Sequence, residues 1–190
     1  IPIEIFYRNM LAPETSAGYR ELLIAQDGKR PPGRNFDVAL SDSQLRRLTM
    51  LVDTCWGEDT PQRPGPHDGR WLENLAAAGL RAEDVDVVTC THFHADHVGW
   101  NTRLRDGAWT PTFPRARHLF NAAEIDHLEA AVKAGTTPPR VYEQSILPVL
   151  QAGHVVRLDG GYDVAPGLRI VPSPGHSPGH QHVEVESRGQ

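Results

Sequence analysis

Three imidazoles and a carboxylate fall within six positions, at His92, His94, Asp96 and His97, directly after an apolar, β-branched run. Nitrogen and hard-oxygen donors at that density read as a metal site. On an extended segment alternate side chains project to one face, so His92 and His94 stand about 6–7 Å apart at Cβ and their rings can converge on one tetrahedral zinc. A turn after Ala95 aims Asp96 and His97 at a neighbouring position, where a carboxylate oxygen and an imidazole nitrogen suit a second divalent ion. For Asp96 the competing role is to cap the helix that follows.

A second histidine group occupies Pro174-Gly175-His176-Ser177-Pro178-Gly179-His180-Gln181-His182, a Gly/Pro-punctuated loop between strand-like runs at 168–172 and 182–186. Such loops carry sites on rigid scaffolds. A catalytic zinc takes three protein ligands and leaves its fourth position to water, so this loop is the natural source of a third nitrogen. His176 is the leading candidate, and His180 and His182 remain alternatives that spacing does not rank.

Through the HxHxDH run at 92–97 and the PGHSPGH run at 174–180, the chain resembles the metallo-β-lactamase-fold hydrolase superfamily from about Leu51 onward. Leu51-Val52-Asp53-Thr54-Cys55 is similar to that family's strand ending in Asp-Thr-Gly, with Cys55 in place of the Gly. The resemblance implies an α/β fold, the αββα sandwich. It also implies that His92, His94 and His176 ligate one metal, that Asp96 and His97 form part of a second site, and that Asp53 orients the metal loop, with a plain strand-end turn as the competing role for Asp53. Zn2+ is the implied ion, two per subunit in a complete chain, with Fe or Mn as alternatives. Family members continue into a strand closing in Gly-Asp, whose Asp bridges the metals, and later supply one more His. Neither follows Ser187-Arg188-Gly189-Gln190, so residues 1–190 are expected to be one incomplete domain, truncated on its C-terminal side. The alternative is a degenerate protein with an incomplete second site.

The implied chemistry is hydrolysis: a bound divalent ion lowers the pKa of a water towards neutrality and polarises the carbonyl or phosphoryl oxygen under attack. Asp96 is the expected catalytic carboxylate, able to accept or relay a proton as well as to ligate. His97-Val98-Gly99-Trp100-Asn101, Trp109-Thr110-Pro111-Thr112-Phe113 and Asn121-Ala122-Ala123-Glu124 look most like the lactonase and organophosphate-hydrolase-like branch. The expected substrate is a small lactone, ester or phosphotriester, with acyl-homoserine lactones and methyl parathion as specific candidates. Trp56, Trp100, Trp109 and Phe113 are candidates to line an apolar cleft, with core packing as the competing role. Two rival readings stand beside the hydrolase: an iron enzyme of sulfur or oxygen redox chemistry, and a non-catalytic binding protein.

Composition sets the outer limits. A chain of 190 residues with 39% hydrophobic content allows one domain with a sizeable core, and argues against disorder and membrane spans. The net charge of −5, with both signs interspersed, offers no basic stripe for nucleic-acid phosphates. The expected partner is a small molecule, with neither nucleic acid nor membrane, and a homodimer is compatible. Cys55 and Cys90 are read as packing residues rather than a disulfide framework. A cleaved leader would leave no trace, so the compartment is left open with the cytoplasm as default.

The elements that must hold the site read as alternating strands and helices. Residues 71–78 predict a helix stopped by Gly79, and 85–90 a buried strand. Asn121 is placed as the N-cap of a helix running to Ala134, with Ile125, Leu128 and Val132 on one face and Gly135 at its end. A helix over 141–151 is expected to kink or shorten at Pro148. After it, 154–158, 162–165 and 168–172 read as a strand meander turning at Gly160-Gly161 and Pro166-Gly167. Residues 1–50 are poorly readable, broken by Pro31-Pro32-Gly33. The resemblance implies the first sandwich strands about here, and the departure from it reads as a plain surface excursion by default, with an inserted arm on a partner subunit or at the substrate entrance as the alternative.

Overall fold

Alternation of apolar side chains on short β-branched strands decides the architecture. The computed structural model describes residues 2–7, 23–24, 48–57 and 70–186. The strands are β1 (Pro2–Tyr7), β2 (Leu23–Ile24), β3 (Leu48–Val52), β4 (Val87–Thr89), β5 (Thr102–Arg105), β6 (Ala108–Pro111), β7 (Arg117–Asn121), β8 (Val155–Leu158), β9 (Tyr162–Ala165), β10 (Leu168–Pro172) and β11 (Gln181–Val185). Six of them form a sheet in the order β2-β1-β3-β4-β7-β8, parallel throughout except where β2 meets β1. A second, antiparallel sheet runs β11-β10-β9, and β5 and β6 make a separate hairpin.

The two larger sheets pack face to face. Leu48, Met50 and Val52 of β3, with Val87 of β4 and Leu119 of β7, meet Val164, Leu168 and Ile170 of the smaller sheet in one buried cluster. The intervening residues of the parallel strands point the other way: Leu51 and Val88 pack on Leu75, and Phe120 packs on Ile125, Leu128 and Ile146. Both faces of these strands are therefore apolar, as a parallel sheet between two layers requires. The helices on that outer face are α1 (Trp71–Ala77), α2 (Ala95–Val98), α3 (Ala122–Lys133) and α4 (Leu147–Gln151). Among the described residues no helix packs on the outer face of the smaller sheet, so three layers of the sandwich are seen.

Most elements fall where the sequence places them. Helix α1 ends at Gly79, whose N–H donates to Ala76 O while Leu80 N–H donates to Leu75 O. Helix α3 is capped by Asn121, whose side chain accepts from Ala123 N–H at 2.9 Å. The helix expected over 141–151 is present, with a π turn at Tyr142–Ile146 that leads directly into α4. Pro148 has no N–H for the Gln144 carbonyl, which accepts the Thr102 hydroxyl in its place, so the proline is absorbed without ending the helix. The readings of 8–22, 25–47 and 187–190, including the Pro31-Pro32-Gly33 break, lie outside the described residues.

Register brings the chemistry to one edge. Val52 pairs with Thr89 and Thr89 with Leu119, so β3 and β4 end level and β7 runs two residues further, to Asn121. The segments leaving them, which begin at Asp53, Cys90 and Ala122, therefore emerge side by side at the carboxyl ends of the strands. The loop between β10 and β11 is drawn to the same place by Gln181 N–H, which donates to Thr91 O at 2.9 Å.

Candidate metal centre

Residues 91–94 leave β4 without regular structure, with His94 still extended at φ −71° and ψ 152°, and helix α2 then begins at Ala95. This places His92 and His94 on one side of the loop, with His92 Nε2 2.9 Å from His94 Nδ1. From the other sheet, His176 Nε2 comes to 3.1 Å from each of these nitrogens. Three imidazole nitrogens that face one another across such a triangle, each able to be a donor or an acceptor but not both, cannot all be satisfied by mutual hydrogen bonds. A cation at their centre resolves that. Zinc–nitrogen bonds of 2.0–2.1 Å in a tetrahedron set nitrogens about 3.3–3.4 Å apart, so the donor set fits zinc with a slight expansion.

Protonation favours the same use. Burial pushes the His92 imidazole down to about 4, helped by the neighbouring His97, His94 and His176 rings. Burial, and then His176, lowers His94 as well. Both rings keep a free lone pair at neutral pH, which a metal ligand needs.

Asp53 holds this loop from beneath. Its carboxylate accepts from Thr91 N–H at 2.8 Å and from the Thr91 hydroxyl, and meets His97 Nδ1 at 2.7 Å. With Nδ1–H donated to Asp53, His97 presents Nε2, which lies 3.5 Å from Asp96 Oδ2. The His97 ring centre is 4.1 Å from that of His92, so the Asp96 and His97 donors stand beside the three-histidine set. Asp53 and Cys55 adopt positive φ, 62° and 54°, and the turn they form grips the next segment: Thr54 N–H donates to His97 O, and Gly99 N–H to Cys55 O. A left-handed conformation at Cys55 is the physical reason a glycine suits that position.

The remaining histidines separate by geometry. His180 Nδ1 pairs with the Ser173 hydroxyl at 2.9 Å, and its ring stands 5.5 Å from that of His92. His182 points outward on β11 beside Glu184, because Gln181, Val183 and Val185 take the inward positions of the alternation. Strand β11 begins at Gln181, one residue before its expected start. Of the aromatic candidates for a cleft, Trp100 and Phe113 are core: both are buried and both pack on Trp71, at 5.8 and 6.1 Å between ring centres. Trp56 and Trp109 are half-buried.

Three residues to which the sequence assigns no role of their own, Thr91, Gln181 and Glu124, complete the arrangement. The Thr91 hydroxyl also lies 3.0 Å from His92 Nδ1, so it joins His92 to Asp53. The Gln181 amide donates to Thr89 Oγ1, Cys90 O and Leu119 O, tying the smaller sheet to β4 and β7 under the histidines. Glu124, on α3, reaches both histidine loops. Its position four residues before Leu128 marks it as a core-facing carboxylate, a signal present in the sequence.

The sequence profile of the metallo-beta-lactamase superfamily matches residues 46–190. The chain belongs to that superfamily. A curated relative, an N-acyl homoserine lactonase of Bacillus cereus, is 30% identical over 152 residues, covering 80% of this chain and 52% of that protein. Among solved structures, AidC, a dizinc quorum-quenching lactonase in complex with a product, superposes with a TM-score of 0.57 at 25% identity, over 74% of this chain and 49% of that one. The hydrolase AbOPH of the beta lactamase superfamily gives 0.54 at 27% identity, over 74% and 49%. The chain spans about half the length of the curated relatives it matches. Among the described residues of this superfamily member, no helix is long and apolar enough to cross a membrane.

Proposed function

We propose that the protein is a zinc-dependent hydrolase of small lactones or esters, with acyl-homoserine lactones first among candidates and aryl phosphotriesters such as methyl parathion second. The observation that carries this reading is the convergence of His92 Nε2, His94 Nδ1 and His176 Nε2 within 2.9–3.1 Å. The lactonase and hydrolase neighbours support the choice of reaction.

His92, His94 and His176 would hold one ion, and Asp96 with His97 would contribute to a second. Bound zinc supplies a Lewis acid for the substrate oxygen and acidifies water. The chain's own residues then do the positioning. Asp53 would fix the His97 tautomer, Thr91 would hold His92, and Asp96, beside His97 and partly open to solvent, would take a proton from the nucleophile and pass it to the leaving group.

The test is ring opening of N-hexanoyl-homoserine lactone by the purified, zinc-loaded protein, followed with a pH indicator beside His94→Ala. Loss of one outer partner alone lowers metal affinity 10–100-fold in such sites, so loss of a ligand should lower kcat/KM by about 100-fold or more. A zinc-loaded protein that opens no lactone and cleaves neither ester nor phosphotriester sinks the hydrolase reading. Turnover with ferrous iron and none with zinc would favour the redox alternative.

A further inference from the structure

Glu124 is a carboxylate only 4% exposed, at the third position of helix α3. A glutamate there commonly reaches back to its own cap. This one reaches across. Oε1 accepts Phe93 N–H at 2.9 Å, the amide between His92 and His94. Oε2 accepts the Ser177 hydroxyl at 2.7 Å and Gly179 N–H at 2.9 Å, both in the loop that carries His176. All three contacts are donors to the carboxylate, and the helix N-terminus behind it also favours negative charge. The fit is close: a Cβ on Gly179 would lie 2.3 Å from Glu124 N, so the loop reaches the carboxylate because that residue is glycine.

Phe93 and Ser177 are adjacent to ligand candidates from two different sheets, and one side chain spans them. We propose that Glu124 is a positioning residue that sets the separation between the His92/His94 pair and His176, so that it tunes metal affinity without touching the metal. The proposal rests on the three-histidine site of the preceding section. Because Glu124 acts through backbone amides and one hydroxyl, its loss should loosen the triangle of nitrogens without removing any of the three donors.

The experiment compares full-length wild type, Glu124→Gln and Ser177→Ala by zinc affinity in chelator competition, with melting of the metal-free proteins recorded in parallel. The glutamine amide offers N–H groups where the carboxylate offered an acceptor, so Glu124→Gln should bind zinc 10–100-fold more weakly, the range for partners that orient ligands. Ser177→Ala, which removes one of three donors, should weaken it several-fold. A purely structural role would lower the melting temperature of the metal-free variants and leave zinc affinity in the folded fraction unchanged. Wild-type affinity in both variants overturns the proposal and leaves the hydrolase reading intact. A wild type that holds no zinc at the three histidines overturns both. Should Glu124→Gln not fold, Ser177→Ala decides alone by the same criterion.

Discussion

Asp53 shows how much a single carboxylate carries here, since it takes the Thr91 amide, the Thr91 hydroxyl and the His97 ring together. Asp53→Asn places an amide against those donors and should weaken metal at the Asp96/His97 position about 10–100-fold, with a smaller effect at the three histidines. Metal content by plasma mass spectrometry checks this, and unchanged stoichiometry at limiting zinc refutes it. His118 is a different case. It is fully buried, and burial, with His154 nearby, pushes it down to about 3 against the opposing pull of the Ala116 backbone. A histidine lowered in the folded state binds its proton mainly when unfolded. Its stabilising neutral form is fully present above about 6.5, and stability is lost as pH falls from there towards 3. His92 and His94 act with the same sign. His118→Leu should therefore lose less melting temperature than wild type between pH 7 and pH 4.5, and an equal loss would place the acid sensitivity elsewhere. At this scale the clustered histidines were legible because they are neighbours in the chain. The burial of Glu124 was legible from its helix position, but the partners of Glu124 and Thr91 were not, because they lie up to 55 residues away and only folding joins them. His182 could have been set aside earlier, since Gln181, Val183 and Val185 alternate with it.

Elements position these residues through two close crossings. At one of them, a Cβ on Gly99 would stand 1.9 Å from Trp56 C and 2.2 Å from Gly57 N, backbone atoms with no freedom to give. Gly99→Ala should destabilise the protein by about 3 kcal/mol, at the upper end for overpacking, and shift the segment that carries His97. Urea denaturation measures it, and a change under about 0.5 kcal/mol, the range of neutral surface substitutions, would mean the crossing relaxes. Strand and helix positions were largely readable because periodicity is local. Leu168–Pro172 and Tyr162–Ala165 match their expected bounds, whereas the strand expected over 85–90 is shorter, Val87–Thr89. Asp86 already turns aside there, its carboxylate accepting Thr49 N–H at 3.0 Å. The π turn before Pro148 was not readable, because it depends on Thr102 supplying a hydroxyl from the β5 strand.

At the scale of the whole molecule, the site straddles both sheets, with two histidines on the segment leaving β4 and one on the β10–β11 loop. Binding to the native state alone should stabilise it by about 2.7 kcal/mol when free zinc is 100 times Kd. Stripping the metal with a chelator should then lower the melting temperature by roughly 5–10 °C for a chain of this size. An unmoved transition would show that the histidines hold nothing that matters to folding. The fold class was readable from motif order, but the sheet order was not, because parallel neighbours such as β4 and β7 are separated by α2 and the β5–β6 hairpin. His176 lies 84 residues from His92 along the chain. Closing so long a span carries an entropic cost that grows with the logarithm of its length, and it is met only once the two sheets have docked. His92 and His94, two residues apart, should therefore be able to meet an ion before the third nitrogen does. An ion captured there should act as a latch on the way out of the native state, slowing unfolding many-fold while leaving the refolding rate almost untouched.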